Sequence, residues 1–230
     1  MTSQQNEHTD GSTSDARSTL YKKDFWRTEN LNYSRPHRRM EKVARTVNSL
    51  AQGKDCTLLD VGCGPATLSS LLQPNIHYYG VDIAIQEPAP NLIEADLLET
   101  AIAFGDRRFD IVVAQGFFEY VGRFQSDKLA EIADLLADGG TFVTSYVNFD
   151  HRDRYIYEPY SNVQPFARFR ASVARHFTVQ RVIPTSYNWH HHESRRKIVT
   201  ALGLQTDVNI PVVGPALAVQ YILVCTARGQ

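Results

Sequence analysis

The segment Leu58-Leu59-Asp60-Val61-Gly62-Cys63-Gly64-Pro65-Ala66-Thr67 constrains the chain more than any other. Leu58 to Val61 reads as a short buried strand that runs into a glycine turn. Leu68, Leu71 and Leu72 then recur at helical spacing. Strand, Gly-x-Gly and helix in that order form the first crossover of a doubly wound α/β fold. Glycine permits the tight turn and, lacking Cβ, lets a ligand lie against the backbone. The expected helix aims its free N–H groups at that ligand. Two departures separate this turn from a dinucleotide fingerprint. Thr67 stands where a third glycine belongs, and Pro65 interrupts the turn. Asp60 also places a carboxylate on the strand, where it repels a pyrophosphate and attracts a cation.

Leu59-Asp60-Val61-Gly62-Cys63-Gly64 resembles motif I of the class I S-adenosylmethionine-dependent methyltransferases, whose cofactor carries a sulfonium and an α-ammonium and no phosphate. The resemblance implies a Rossmann-like seven-stranded sheet, mostly parallel with an antiparallel C-terminal strand, and helices on both faces. It also implies S-adenosylmethionine as cofactor and methyl transfer as the reaction. By the same resemblance Asp60, Gly62, Cys63 and Gly64 form the cofactor corner.

The rest of the chain follows that plan in order. Ile76 to Asp82 reads as the second strand, β-branched and aromatic, ending on an acid. Asp82 follows Gly64 by 18 residues, where a carboxylate can grip a ribose diol. An acid there also fits a capping role. Gln86-Glu87-Pro88-Ala89-Pro90 is too proline-rich for a long helix, so the second helix is expected to be short or missing. Asn91 to Leu97 reads as the third strand. The resemblance puts Asp96 on the adenine amino group, with Leu97 along the ring and Ile83 on its other face. Phe109 to Ala114, almost purely apolar, reads as a central parallel strand. It empties into Gln115-Gly116-Phe117-Phe118-Glu119-Tyr120-Val121, which resembles the family's motif IV. Tyr120 replaces the more frequent histidine there. No Asn-Pro-Pro-Tyr motif is present, which disfavours methylation of nucleic-acid bases or glutamine amides.

Leu129, Ile132, Ala133, Leu135 and Leu136 predict a helix, with Asp138-Gly139-Gly140 as its stop. Thr141 to Val147 predicts the fifth strand, where Tyr146 and Asn148 could line an acceptor pocket. Val163 to His176 reads as helical, and Phe177 to Ile183 alternates as a strand. Ser194 to Leu202 is a further helix, and Ala216 to Cys225 is a closing strand. The two terminal strands match the antiparallel sixth and seventh strands of the family. A nicotinamide dehydrogenase half-domain would continue parallel.

Before the glycine turn, Met40, Val43, Ala44, Val47 and Leu50 mark a helical stripe with Pro36 near its start. The resemblance makes residues 20–52 a helical lid over the cofactor cleft and 53–230 the methyltransferase domain. Tyr33, Arg35 and His37 then reach toward the cofactor or acceptor, and Arg35 or Arg38 pairs with the methionine carboxylate. The same basic residues, with Arg39, Lys42 and Arg45, also fit a solvated helix face. Residues 1–19 are polar and are expected to be disordered.

Catalytic candidates are His190 and His191, from the run His190-His191-His192, one of which could be a general base over the acceptor, together with Tyr120 and Tyr146. Adjacent histidines diverge on a strand or helix, so no metal site is expected. Phe117, Phe118, Tyr33 and Trp189 are further candidates for an aromatic pocket around a cation. A net charge of −1 gives no global pull toward nucleic acid. No apolar run is long enough for a membrane span, and no signal-peptide pattern opens the chain. Cys56, Cys63 and Cys225 have no metal spacing, as in a reduced, cytoplasmic protein. By the resemblance, the expected protein is a methyltransferase acting on oxygen or nitrogen of a small molecule, in specialised metabolism, and compatible with a homodimer. Two alternatives remain: a non-catalytic S-adenosylmethionine-binding partner and a nucleotide-cofactor oxidoreductase.

Overall fold

A computed structural model describes residues 23–147, 164–187 and 218–228. Helix α1 spans Lys23–Glu29 and α2 spans Arg38–Ala51, joined by a 3-10 turn over Asn30–Tyr33. Strands β1 (Cys56–Val61), β2 (Ile76–Asp82), β3 (Leu92–Glu94) and β4 (Phe109–Gln115) follow. Helix α3 (Gln125–Leu135) leads into β5 (Leu136–Val147), and α4 (Phe166–His176) leads into β6 (Phe177–Tyr187). Strand β7 (Ala218–Ala227) closes the fold. None of the described helices is long and apolar enough to cross a membrane.

The seven strands form one sheet in the order β3-β2-β1-β4-β5-β7-β6. The first five are parallel, and β7 runs antiparallel between β5 and β6. Chain order reverses between β1 and β4, so a crevice opens beyond their carboxyl ends. Alternation along each strand divides the core between two faces. Leu58, Ile111, Val113, Val143, Ile222 and Val224 pack with Met40, Val43 and Val47 of α2. Leu59, Val61, Val112, Ala114 and Phe142 pack on the other face with Leu129 and Ile132 of α3 and with Phe169 and Val173 of α4. The expected sheet and its helix-covered faces are therefore present.

Three local expectations are corrected. The run Leu68, Leu71, Leu72 does not build an α-helix. It makes a 3-10 turn over Thr67–Leu71, and Leu72 is already extended. Pro74 supplies the reason: it disfavours helical geometry at Gln73 before it, so the turn cannot propagate. Second, Asp138-Gly139-Gly140 does not cap a helix. The helix ends at Leu135, and the glycines lie within β5 as a bulge where pairing jumps from Phe109↔Leu136 to Ile111↔Thr141. Gly139 takes φ +74°, and a Cβ on Gly140 would stand 2.8 Å from the Ala137 carbonyl. Third, β3 is only three residues long, so Asp96 lies beyond the strand in a turn. The prolines before it leave no helix between β2 and β3, as expected.

Candidate functional site

The glycine corner forms where β1 leaves the sheet. Gly62 and Gly64 adopt left-handed backbone with φ +73° and +54°, and Ala66 joins them at +55°. The Gly62 and Cys63 N–H groups both donate to the Val81 carbonyl (2.8 and 3.2 Å), which ties the corner to β2. Asp82 then braces it from the end of β2. One carboxylate oxygen accepts the Gly64 N–H (2.9 Å), and the other accepts the Ala84 N–H (3.0 Å). A Cβ on Gly62 would stand 3.1 Å from the Phe117 ring, so that aromatic lies across the bare backbone.

Asp60 sits beneath the corner, only 1% exposed. Its Oδ2 accepts the Tyr78 hydroxyl (2.9 Å) from the neighbouring strand, while Oδ1 has no partner. Burial pushes its carboxyl up to about 7, opposed by the Tyr78 hydrogen bond and reinforced by the Asp82 charge. Cys63 is buried too, and burial raises its thiol well above the ordinary range, so it is no thiolate. Its sulfur would lie 2.8 Å from a Cβ on Gly80, which is why the middle of β2 carries glycine.

The second wall comes from the end of β4. Gln115 is its last residue, and its Oε1 is buried without a partner. Gly116 follows at φ +65°, its N–H donating to Ser145 Oγ (3.0 Å). A Cβ there would come within 2.9 Å of the Arg39 guanidinium, so Arg39 lies directly against this glycine. Glu119 is 4% exposed. Its Oε1 accepts the Val147 N–H (3.0 Å) and its Oε2 is unpartnered. Burial raises its pKa, and the Arg39 charge works against the rise.

The N-terminal elements run across this edge. Lys23 pairs with Glu94 beside β3, and Gln86 Nε2 donates to the Arg27 carbonyl (2.7 Å). Thr67 Oγ1 donates to the Tyr33 carbonyl (2.8 Å), and Trp26 meets Tyr120 edge-on at 5.0 Å. His37 caps α2, its Nδ1 accepting the Met40 N–H (3.4 Å). Burial, with the Arg39 charge, pushes its pKa down to about 4. The ring is therefore neutral at pH 7, and with Nδ1 accepting, its proton resides on Nε2. That nitrogen is buried without a partner.

These observations combine. Among the described residues, the buried side-chain polar atoms without a partner are His37 Nε2, Arg39 Nε, Asp60 Oδ1, Gln115 Oε1 and Glu119 Oε2. All five belong to the carboxyl edge of β1 and β4 or to the start of α2 beside it. An unmet buried polar atom costs about 1–3 kcal/mol. Such atoms at one edge are the chemistry of a polar ligand site: two donors, two carboxylate acceptors and an amide oxygen.

The other expected residues are placed as follows. Arg35 is exposed, Arg38 is half-buried, and Arg39 is the arginine at the end of β4. Tyr33 is half-buried with its ring 6.0 Å from that of His37. Ile83 is half-buried directly after Asp82. Leu97 is buried in the core beside Val81. Asp96 uses Oδ1 to accept the Leu98 N–H (2.9 Å), closing its own turn. Tyr120 is half-buried against Trp26. Tyr146 corrects its expectation. It is fully buried, stacked on Phe169 at 3.9 Å, and its hydroxyl exchanges hydrogen bonds with the backbone N–H and carbonyl of Gln164 (both 3.2 Å). Burial pushes it up to about 12, and the ring packs in the core rather than lining an open pocket. Phe118 is likewise core. Asn148, Trp189, His190, His191, residues 194–202 and the tail at 1–19 lie outside the described residues.

Arg39, Glu119 and Tyr78 were not singled out from sequence, although two carried a signal. Arg39 precedes Val43 by four residues and so shares the buried side of the helix. Glu119 is a lone charge inside an otherwise apolar and aromatic run.

Comparison with known proteins agrees with the geometry. A family model described as a methyltransferase domain matches residues 35–206. No curated protein sequence matches the chain. Among solved structures, a SAM-dependent methyltransferase from Archaeoglobus fulgidus is similar at 16% identity and a TM-score of 0.58, covering 83% of this chain and 94% of the other. The N-methyltransferase NodS from Bradyrhizobium japonicum, in complex with S-adenosyl-L-homocysteine, is similar at 13% identity and a TM-score of 0.56, covering 96% and 100%. The CurJ carbon methyltransferase is similar at 15% identity and a TM-score of 0.56, covering 83% of this chain and 54% of that one. At such identities the likeness is one of fold. That fold carries transfer to nitrogen in one relative and to carbon in another, so it does not set the acceptor.

Proposed function

The chain belongs to the class I S-adenosylmethionine-dependent methyltransferases, and we propose that it transfers the methyl group to an oxygen or nitrogen of a small molecule of specialised metabolism. The unpartnered polar atoms at the carboxyl edge carry the reading. They suit the amino-acid end of S-adenosylmethionine: Asp60 Oδ1 would receive the α-ammonium, and Arg39 Nε and His37 Nε2 would donate to the α-carboxylate. Gly64 would let the ligand approach the backbone closely, beside the Phe117 ring that covers Gly62. Asp82, the acid at the end of β2, would accept from the ribose hydroxyls. Ile83, directly after β2, and Asp96, in the turn after β3, would meet the adenine.

Bound there, S-adenosylmethionine supplies an electrophilic methyl on a sulfonium. The chain's work is to align an acceptor with that methyl and to exclude water, and positioning of this kind lowers a barrier by about 7–11 kcal/mol. Trp26, Tyr120 and Phe117 would supply an aromatic wall, each contact with a cation contributing roughly 0.5–2 kcal/mol. The segment 23–39 would act as the lid, since it crosses the edge from β3 to β4. Glu119 is the described carboxylate best placed to take a proton near the end of β4, because burial raises its affinity for one. A small acceptor is favoured by the balanced charge and by Arg39, which turns toward Gly116 rather than joining a basic surface.

Calorimetric titration with S-adenosylhomocysteine, run beside NADH, tests the cofactor. Micromolar binding of the first and none of the second is expected. The reverse would overturn the reading. Transfer of labelled methyl to a pooled panel of phenols, amines and carboxylates tests the acceptor class. Label found on protein or RNA instead would refute the small-molecule assignment.

A further inference from the structure

Tyr78 belongs to no motif named above, yet its hydroxyl holds the acid beneath the glycine corner. It donates to Asp60 Oδ2 at 2.9 Å, and its backbone carbonyl accepts from Asn91 Nδ2 (2.9 Å), which anchors it toward β3. With Oδ2 held, Oδ1 is the oxygen left buried and unpartnered. Among the described residues, the groups around Asp60 include no cation that could keep it ionised. On β2 they are Tyr78, Gly80 in direct register, and the Asp82 carboxylate. On the corner there is the protonated Cys63 thiol, and on β4 apolar Val113 stands in register. From α2, on the same face, Arg39 lies against Gly116 and Lys42 donates to the Pro184 carbonyl (3.3 Å). The neutral His37 caps that helix.

We propose that Tyr78 is a positioning residue for Asp60: its hydroxyl fixes one carboxylate oxygen so that the other receives the cofactor's α-ammonium, and binding draws Asp60 into its ionised form. The inference rests on the S-adenosylmethionine reading given above. Its balance is simple: the Asp60 O–H bond breaks, the proton goes to buffer, and the ammonium keeps its own proton and donates it in a hydrogen bond. Asp60, with a value of about 7, is partly protonated at neutral pH before the ligand arrives. The Tyr78 hydrogen bond favours the ionised form, so its loss raises the pH needed to ionise Asp60.

The test titrates S-adenosylhomocysteine into wild type, Tyr78→Phe, Asp60→Asn and the double variant by calorimetry at about pH 6, 7 and 8.5, in buffers of different ionisation enthalpy. This ligand has the α-ammonium, whose own titration is removed by comparison with Asp60→Asn. Wild type is expected to release about half a proton more than Asp60→Asn at pH 7. Tyr78→Phe, which keeps the ring, is expected to bind about 5–10-fold more weakly at pH 7 and to recover most of that by pH 8.5. In the Asp60→Asn background the same change should alter affinity by less than about twofold. An equal loss at every pH, or the same loss without Asp60, would make Tyr78 a packing residue and overturn the inference. So would equal proton release from wild type and Asp60→Asn. Failure of wild type itself to bind S-adenosylhomocysteine would instead strike the cofactor reading, and this inference with it.

Discussion

Asp82 does structural work that a ligand-binding role alone would not require, and replacing it separates the two. In Asp82→Ala the Gly64 and Ala84 N–H groups both lose a carboxylate partner. Each hydrogen bond to a charged acceptor is worth about 1.5–3 kcal/mol, so the ligand-free protein should lose about 3–6 kcal/mol. That is a large part of the roughly 5–15 kcal/mol that holds a domain folded. The residue is only 8% exposed, so little water can replace the carboxylate. Urea unfolding without ligand is the assay. With a slope of about 3 kcal/mol/M, the midpoint should fall by about 1–2 M. Asp96→Ala is the control: its side chain closes one local turn at a half-buried position, and the loss should stay near 1 kcal/mol. A midpoint within about 0.3 M of wild type for Asp82→Ala would show that the corner stands without its brace. Weaker S-adenosylhomocysteine binding in that same variant would then belong to the ligand alone.

Four further outcomes are expected. Gly116→Ala places a Cβ 2.9 Å from the Arg39 guanidinium at a φ of +65°; it should cost about 1–2 kcal/mol of stability and weaken S-adenosylhomocysteine binding as Arg39→Ala does. Wild-type affinity in both variants would remove Arg39 from the site. Tyr146→Phe loses hydrogen bonds to Gln164 and should cost about 1–2 kcal/mol in thermal unfolding while keeping methyl transfer. A stable but inactive variant would restore Tyr146 as a catalytic group. Asp60 is raised to about 7 in the fold from 3.8, so the folded state holds a proton that the unfolded chain has lost. Stability should therefore fall as pH rises from about 4 to 7 and level off above, by up to about 4 kcal/mol from this group. Subtracting the pH–stability curve of Asp60→Asn from that of wild type isolates the effect, and a flat difference would contradict it. Gly140→Ala forces a Cβ to within 2.8 Å of the Ala137 carbonyl and should cost about 1–3 kcal/mol; an unchanged melting temperature would mean the bulge can shift.

The sheet was legible in residues because its signals are local. Apolar alternation in β1, β2 and β4, an acid closing β2, and prolines where a helix is missing all act within a few residues. They named the fold, the glycine corner, and Asp60 and Asp82 upon it. What local pattern left open is which neighbours each side chain meets. The same leucine spacing serves an α-helix or the 3-10 turn over Thr67–Leu71, and Pro74 decides between them. Tyr146 reads as a pocket residue by its place at a strand end. It is core because α4, arriving 20 residues later, stacks Phe169 on it. Among the basic residues 35–45, only packing of α2 on the sheet turns Arg39 to Gly116 and leaves Arg35 in solvent. The unpartnered atoms of Asp60, Gln115, Glu119, His37 and Arg39 come from β1, from β4 and the loop after it, and from the start of α2. Periodicity fixes which way a residue faces on its own element. Only the closing of one element over another determines whether a buried charge finds a partner, and the proposed site lies where it does not.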